Sequence, residues 1–146
     1  MLVQMLTKVK GIASLSGQTY HVFYRIGSNT RKKNKNDFSR VYGDCVDNAD
    51  MVHKMVEEQY PELKEVAMRF GLFQRLEYLL HIPIVQMTKN NEQYRSICKY
   101  IREHIKDIIQ NVHLTKKNKI YLLLFAMAPK GLRQVHALTM KIRKGK

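Results

Sequence analysis

From about residue 40 onward the chain repeats apolar residues at helical spacing. Its only three prolines, Pro61, Pro83 and Pro129, fall between the runs rather than inside them. Proline removes a backbone donor and restricts the residue before it, so each one ends or opens a helix. Val41, Val46, Ala49, Val52, Met55 and Val56 form one apolar face, which predicts a first helix ending at Tyr60-Pro61. Pro61 suits the first turn of a second helix, with Glu62 and Glu65 near its positive end. That helix runs through Val66, Phe70, Phe73, Leu76, Leu79 and Leu80 and stops before Pro83. Tyr94, Ile97, Ile101, Ile105, Ile108 and Ile109 predict a third over 91–112. Thr115 can cap a fourth over 116–128, and Pro129 opens a fifth reaching about residue 144.

The front differs. Residues 2–10 fit a helix closed by Gly11, and residues 12–25 fit a short β element with a Ser16-Gly17-Gln18 turn. Its aromatic run (Tyr20, Val22, Phe23, Tyr24) ends in Arg25, then a turn on Gly27, Ser28 and Asn29, then Arg31, Lys32 and Lys33. The expected fold is therefore mainly α. A short αβ segment over 1–37 precedes a bundle of about five helices over 38–146.

The net charge of +14 is unevenly spread. Residues 41–112 hold nine cations and eleven carboxylates, a near-neutral body. Residues 113–146 hold nine cations and no carboxylate, and residues 25–40 hold six cations against Asp37 alone. Such blocks attract polyanions: nucleic acid, anionic lipid or phosphorylated small molecules. Cys45 and Cys98 are the only cysteines, without a CxxC or a Cys/His ligand spacing, which favours a reducing compartment over a zinc or disulfide framework. The start does not read as a cleavable signal, and the longest apolar run, 120–129, is too short to span a bilayer.

No metalloprotease, nucleophile-elbow or phosphate-loop motif is present. The six histidines (His21, His53, His81, His104, His113, His136) show no metal-pair spacing and read as surface or half-buried helix residues. Asp44, Asp47 and Asp50 step along one helix, where they serve its dipole better than a cation. Phe70, Phe73 and Tyr78 read as core. The final helix places Gly131, Val135, Leu138 and Ile142 on one stripe and Arg133, Lys141 and Lys144 on another, with Lys130 and Arg143 adding charge. Two uses remain open: contact of Lys130, Arg133, Lys141, Arg143 and Lys144 with an anionic membrane surface, or an apolar stripe packed on the bundle with its charges in solvent.

The segments "GIASLSGQTYHVFYRIGSNTRKK", "EEQYPELKEVAMRF" and "PKGLRQVHAL", in that order, resemble the C-terminal third of bacterial family-2 glycosyltransferases, which build surface polysaccharides. Tyr20, Tyr24, Arg25, Gly27, Ser28 and Thr30 match the strand that closes their nucleotide-sugar-binding domain, with a shorter Arg25–Gly27 spacing than the common form. The resemblance implies that residues 1–37 are the remnant of a GT-A-like domain. Arg25, Ser28, Thr30 and Arg31 would face a donor phosphate or the acceptor. It also implies a nucleotide sugar and a glycan or lipid-linked acceptor as partners, held through the upstream domain. Without a signal or a spanning run, the expected location is cytoplasmic, either soluble or peripheral at the inner face of the membrane. The family's Asp-x-Asp metal motif, for Mg²⁺ or Mn²⁺, and its carboxylate base would lie upstream of this segment. No catalytic residue or cofactor is then expected in this chain, it would be inactive by itself, and Met1 would be an internal or truncated start. The alternative is a basic helical module that binds nucleic acid or an anionic membrane surface, although no helix-turn-helix or RNA-platform pattern supports the nucleic-acid form.

Overall fold

The computed structural model describes residues 38–144. The helix expected over 2–10, the β element, the GT-A-like remnant, and Arg25, Ser28, Thr30 and Arg31 lie outside the described residues. Among those described there are six α-helices and no strand: α1 (Val41–Gln59), α2 (Lys64–His81), α3 (Glu92–Glu103), α4 (Ile105–Gln110), α5 (Lys116–Met127) and α6 (Pro129–Lys144). Short 3₁₀ turns, Pro61–Leu63 and Ile84–Gln86, follow α1 and α2.

The boundaries have local causes. Ile82, the residue before Pro83, is extended (φ −58°, ψ 134°), as a residue before proline prefers, and α2 ends there. The Asn91 side chain accepts from Tyr94 N at 3.0 Å and opens α3, and Thr115 does the same for α5 through Asn118 N at 3.2 Å.

The helix expected over 91–112 is two helices. His104 Nδ1 lies 2.8 Å from the Tyr100 carbonyl oxygen, which also accepts the His104 backbone N–H at 3.1 Å. The two rings stack with centroids 3.9 Å apart. A side chain competing for the i−4 carbonyl disturbs the helical ladder at that point. The chain turns at His104 and restarts as α4.

α1 and α2 pack along each other as a helical hairpin, and α5 lies against α2, α3 and α4. α6 packs on α5 and on α2. The core is made of Leu72, Tyr78 and Leu79 of α2, Ile82, Met87, Ile101 of α3, Ile108 of α4, and Leu122 and Phe125 of α5. Each such side chain contributes roughly 1.5–3 kcal/mol on full burial. At one end Phe38 meets Tyr78 edge-on at 4.9 Å and stacks on Tyr42, whose ring stacks in turn on His81. Phe70 and Phe73, expected in the core, are half-buried at its edge, whereas Tyr78 is fully inside.

Candidate functional site

Three features stand apart from ordinary packing. The first is a charge inside the bundle. Arg75 of α2 is 4% exposed. Its Nη2 donates to both carboxylate oxygens of Asp50 on α1, at 2.7 and 2.8 Å, and its Nη1 donates to Gly71 O at 3.2 Å. The guanidinium carbon lies 3.6 Å from the centre of the Tyr100 ring. Asp50 is thus engaged by an arginine rather than spent on the helix dipole, and Asp44 pairs with Arg40 across an exposed turn at 3.4 Å. Among the described residues no three His, Cys, Asp or Glu side chains converge as a metal site.

The second feature is the direction of α6. At about 100° per residue, Gly131, Val135, Leu138 and Ile142 share one stripe. That stripe is exposed: Val135 is 57%, Leu138 59% and Ile142 66% accessible. The half-buried side instead carries Leu132, Arg133, His136 and Ala137. Leu132 packs against the core, and His136 stands edge-on to Tyr121 of α5. Among the described residues, the apolar stripe therefore does not pack on the bundle. On α5, Ile120, Leu124 and Met127, at i, i+4 and i+7, are exposed as well. No helix among the described residues is long and apolar enough to cross a membrane.

The five cations expected on this face divide in two ways. Arg133 turns toward the bundle: its Nε donates to Ile82 O at 2.9 Å, and burial lowers its pKa below the usual arginine value. Lys130 is exposed and borders a cleft described next. Lys141 is exposed near the end of α6. Arg143 and Lys144 complete the last turn of that helix.

The third feature is an open cleft of about 680 Å³ between the turn after Pro83, the outer side of α3 and the start of α6. Its buried floor is Met87, Tyr94 and Cys98. Its walls carry five cations, Lys89, Arg95, Lys99, Arg102 and Lys130, against one carboxylate, Glu92, with the Thr88 and Ser96 hydroxyls between them. Arg102 Nε donates to Ala126 O at 3.1 Å, which ties α3 to α5 and leaves its terminal nitrogens for other acceptors. Lys99 approaches Glu103 at 3.7 Å in an exposed i,i+4 pair, a contact of little strength. Burial pushes the Tyr94 hydroxyl up to about 12, with Cys98 adding to the shift, and burial also raises the Cys98 thiol. Both stay neutral near pH 7, so the floor adds no negative charge.

None of the four α3-side cations was singled out by the sequence reading. The signal was there: Arg95, Lys99 and Arg102 recur at i, i+4 and i+7 on a helix whose opposite face is Ile97 and Ile101. Compared with models of known families, with curated proteins and with solved structures, the chain matches none.

Proposed function

We propose that this chain is a membrane-docking helical segment of a nucleotide-sugar-dependent glycosyltransferase of the family-2 type. The observation that supports docking is the outward-facing Val135, Leu138 and Ile142 stripe on a segment with nine cations and no carboxylate. An unpartnered apolar stripe flanked by cations is complementary to an anionic bilayer interface, where lipid tails take the apolar side chains and headgroups take the lysines. Three such side chains supply roughly 1.5–3 kcal/mol each if fully buried, and each nearby cation about 1 kcal/mol. Sums of that size give reversible attachment rather than permanent insertion.

The transferase part of the reading rests on the resemblance of residues 11–33, 57–70 and 129–138 to the family's C-terminal third. Attachment of this segment would hold an active site near a lipid-linked acceptor. The test is co-sedimentation of the chain with vesicles of phosphatidylcholine alone or mixed with phosphatidylglycerol. Binding should rise with the anionic lipid and fall with salt. Sub-micromolar binding to duplex DNA or RNA at about 0.15 M salt, with vesicles ignored, would replace this reading with that of a nucleic-acid-binding module.

A further inference from the structure

Apart from Lys130, the residues of the cleft along α3 lie outside α6, and the cleft gathers five cations against one carboxylate. We propose that it is a binding site for the phosphate group of an organic phosphate ester bearing two or more negative charges. Arg95 and Lys99 of α3 and Lys89 and Lys130 at the rim supply the charge, and the apolar part of the lining receives the organic part.

Cations that only solubilise a surface are interspersed with carboxylates. Here five line one concavity with Glu92 alone opposing them. Four of them, Lys89, Arg95, Lys99 and Arg102, lie on α3 and the turn that leads into it, and the start of α6 brings Lys130 to the same concavity. Arginine forks onto phosphate oxygens with paired N–H donors, and lysine adds mobile charge. The Thr88 and Ser96 hydroxyls offer neutral donors. The apolar part of the lining favours an ester over a free inorganic anion, because that area would otherwise stay wet. Two sources share this chemistry: a soluble nucleotide-type diphosphate and the headgroup of a phosphate-bearing lipid.

Calorimetric titration of the full chain with inorganic pyrophosphate tests the shared chemistry. Saturable one-site binding is expected. In the double variant Arg95→Gln/Lys99→Gln the affinity should fall at least about tenfold, since two charge-assisted contacts are lost. Lys141→Gln, which removes a cation of α6 outside the cleft, should leave it within about twofold. Circular dichroism of each variant establishes that the fold is retained, and Arg95 and Lys99 are exposed enough for that to hold. Tighter binding of adenosine diphosphate than of pyrophosphate would assign the soluble source. Recruitment to vesicles containing phosphatidic acid, above that to phosphatidylglycerol vesicles of equal charge and lost in the double variant, would assign the lipid source. Absence of saturable pyrophosphate binding, or an equal loss in Lys141→Gln, would overturn the site. Because pyrophosphate requires no membrane, this outcome is separate from the fate of the docking proposal.

Discussion

Arg75 Nη2 donates to both carboxylate oxygens of Asp50, at 2.7 and 2.8 Å, and so ties α2 to α1 from inside the bundle. The arginine is buried and the aspartate half in solvent. Removal of the acid therefore strands a charge that cannot reach water, whereas removal of both leaves an apolar gap. Asp50→Ala is expected to cost about 2–3 kcal/mol. Arg75→Met combined with Asp50→Ala should cost clearly less than the two single changes summed, with a coupling of about 1–3 kcal/mol. Chemical denaturation of the four proteins measures the cycle.

Asn111 serves the opposite end of α2. Its Nδ2 donates to Glu65 O at 2.7 Å, while its Oδ1 accepts from His113 N and Leu114 N at 2.9 and 3.1 Å. The residue is 4% exposed, so Asn111→Ala leaves inward-facing backbone groups without partners. A loss of about 2–4 kcal/mol is expected by denaturant unfolding. Asn111→Asp should recover only part of it, because it keeps the acceptor and loses the donor to Glu65.

His136 links stability to pH. Its Nδ1 is buried without a hydrogen-bond partner. Burial first, then the positive charge of Arg133, His81 and Lys117, lowers its pKa, with Glu77 acting in the other direction. The unfolded chain takes up the proton near pH 6.5, before the folded one does. The unfolded state thus binds more protons below about pH 6.5, and stability falls as pH drops from there toward the folded pKa. His136→Gln should flatten that slope and leave the neutral-pH behaviour of the other groups in place.

The helical body was legible because its punctuation is local. Three prolines and the Thr115 cap set the ends of α1, α5 and α6 and the close of α2 within a residue or two of the expected positions, whereas α2 opens at Lys64, after a 3₁₀ turn over Pro61–Leu63. The break at His104 was not legible, since Ile101, Ile105 and Ile108 keep helical spacing across it and the cause is one ring nitrogen on one carbonyl. Arg75 sits in an apolar run, and its partner lies 25 residues away. The spacing of α6 showed its stripe but not its direction, which depends on Leu132 and His136 finding room against α2 and α5. The cleft was hidden by averaging. Acids on α1 and at the start of α2 cancel the cations of α3 in the charge of 41–112, although the two sets do not share a surface in the cleft.

The transferase reading has its own check. The purified chain, given nucleotide sugars and Mg²⁺, is expected to show no sugar transfer, because the metal motif and the carboxylate base of the resembling family lie upstream of the matched segment. Metal-dependent turnover by this chain would overturn that placement.

The most direct test of docking uses a convenience of the sequence, which contains no tryptophan. Leu138→Trp places a single reporter on the exposed stripe of α6. Its emission should be that of a solvated indole in buffer, shift to the blue when phosphatidylglycerol vesicles are added, and stay unshifted with phosphatidylcholine alone. Blue-shifted emission before any vesicle is present would mean that another protein surface already covers the stripe. That result, or an emission indifferent to anionic vesicles, would contradict the account.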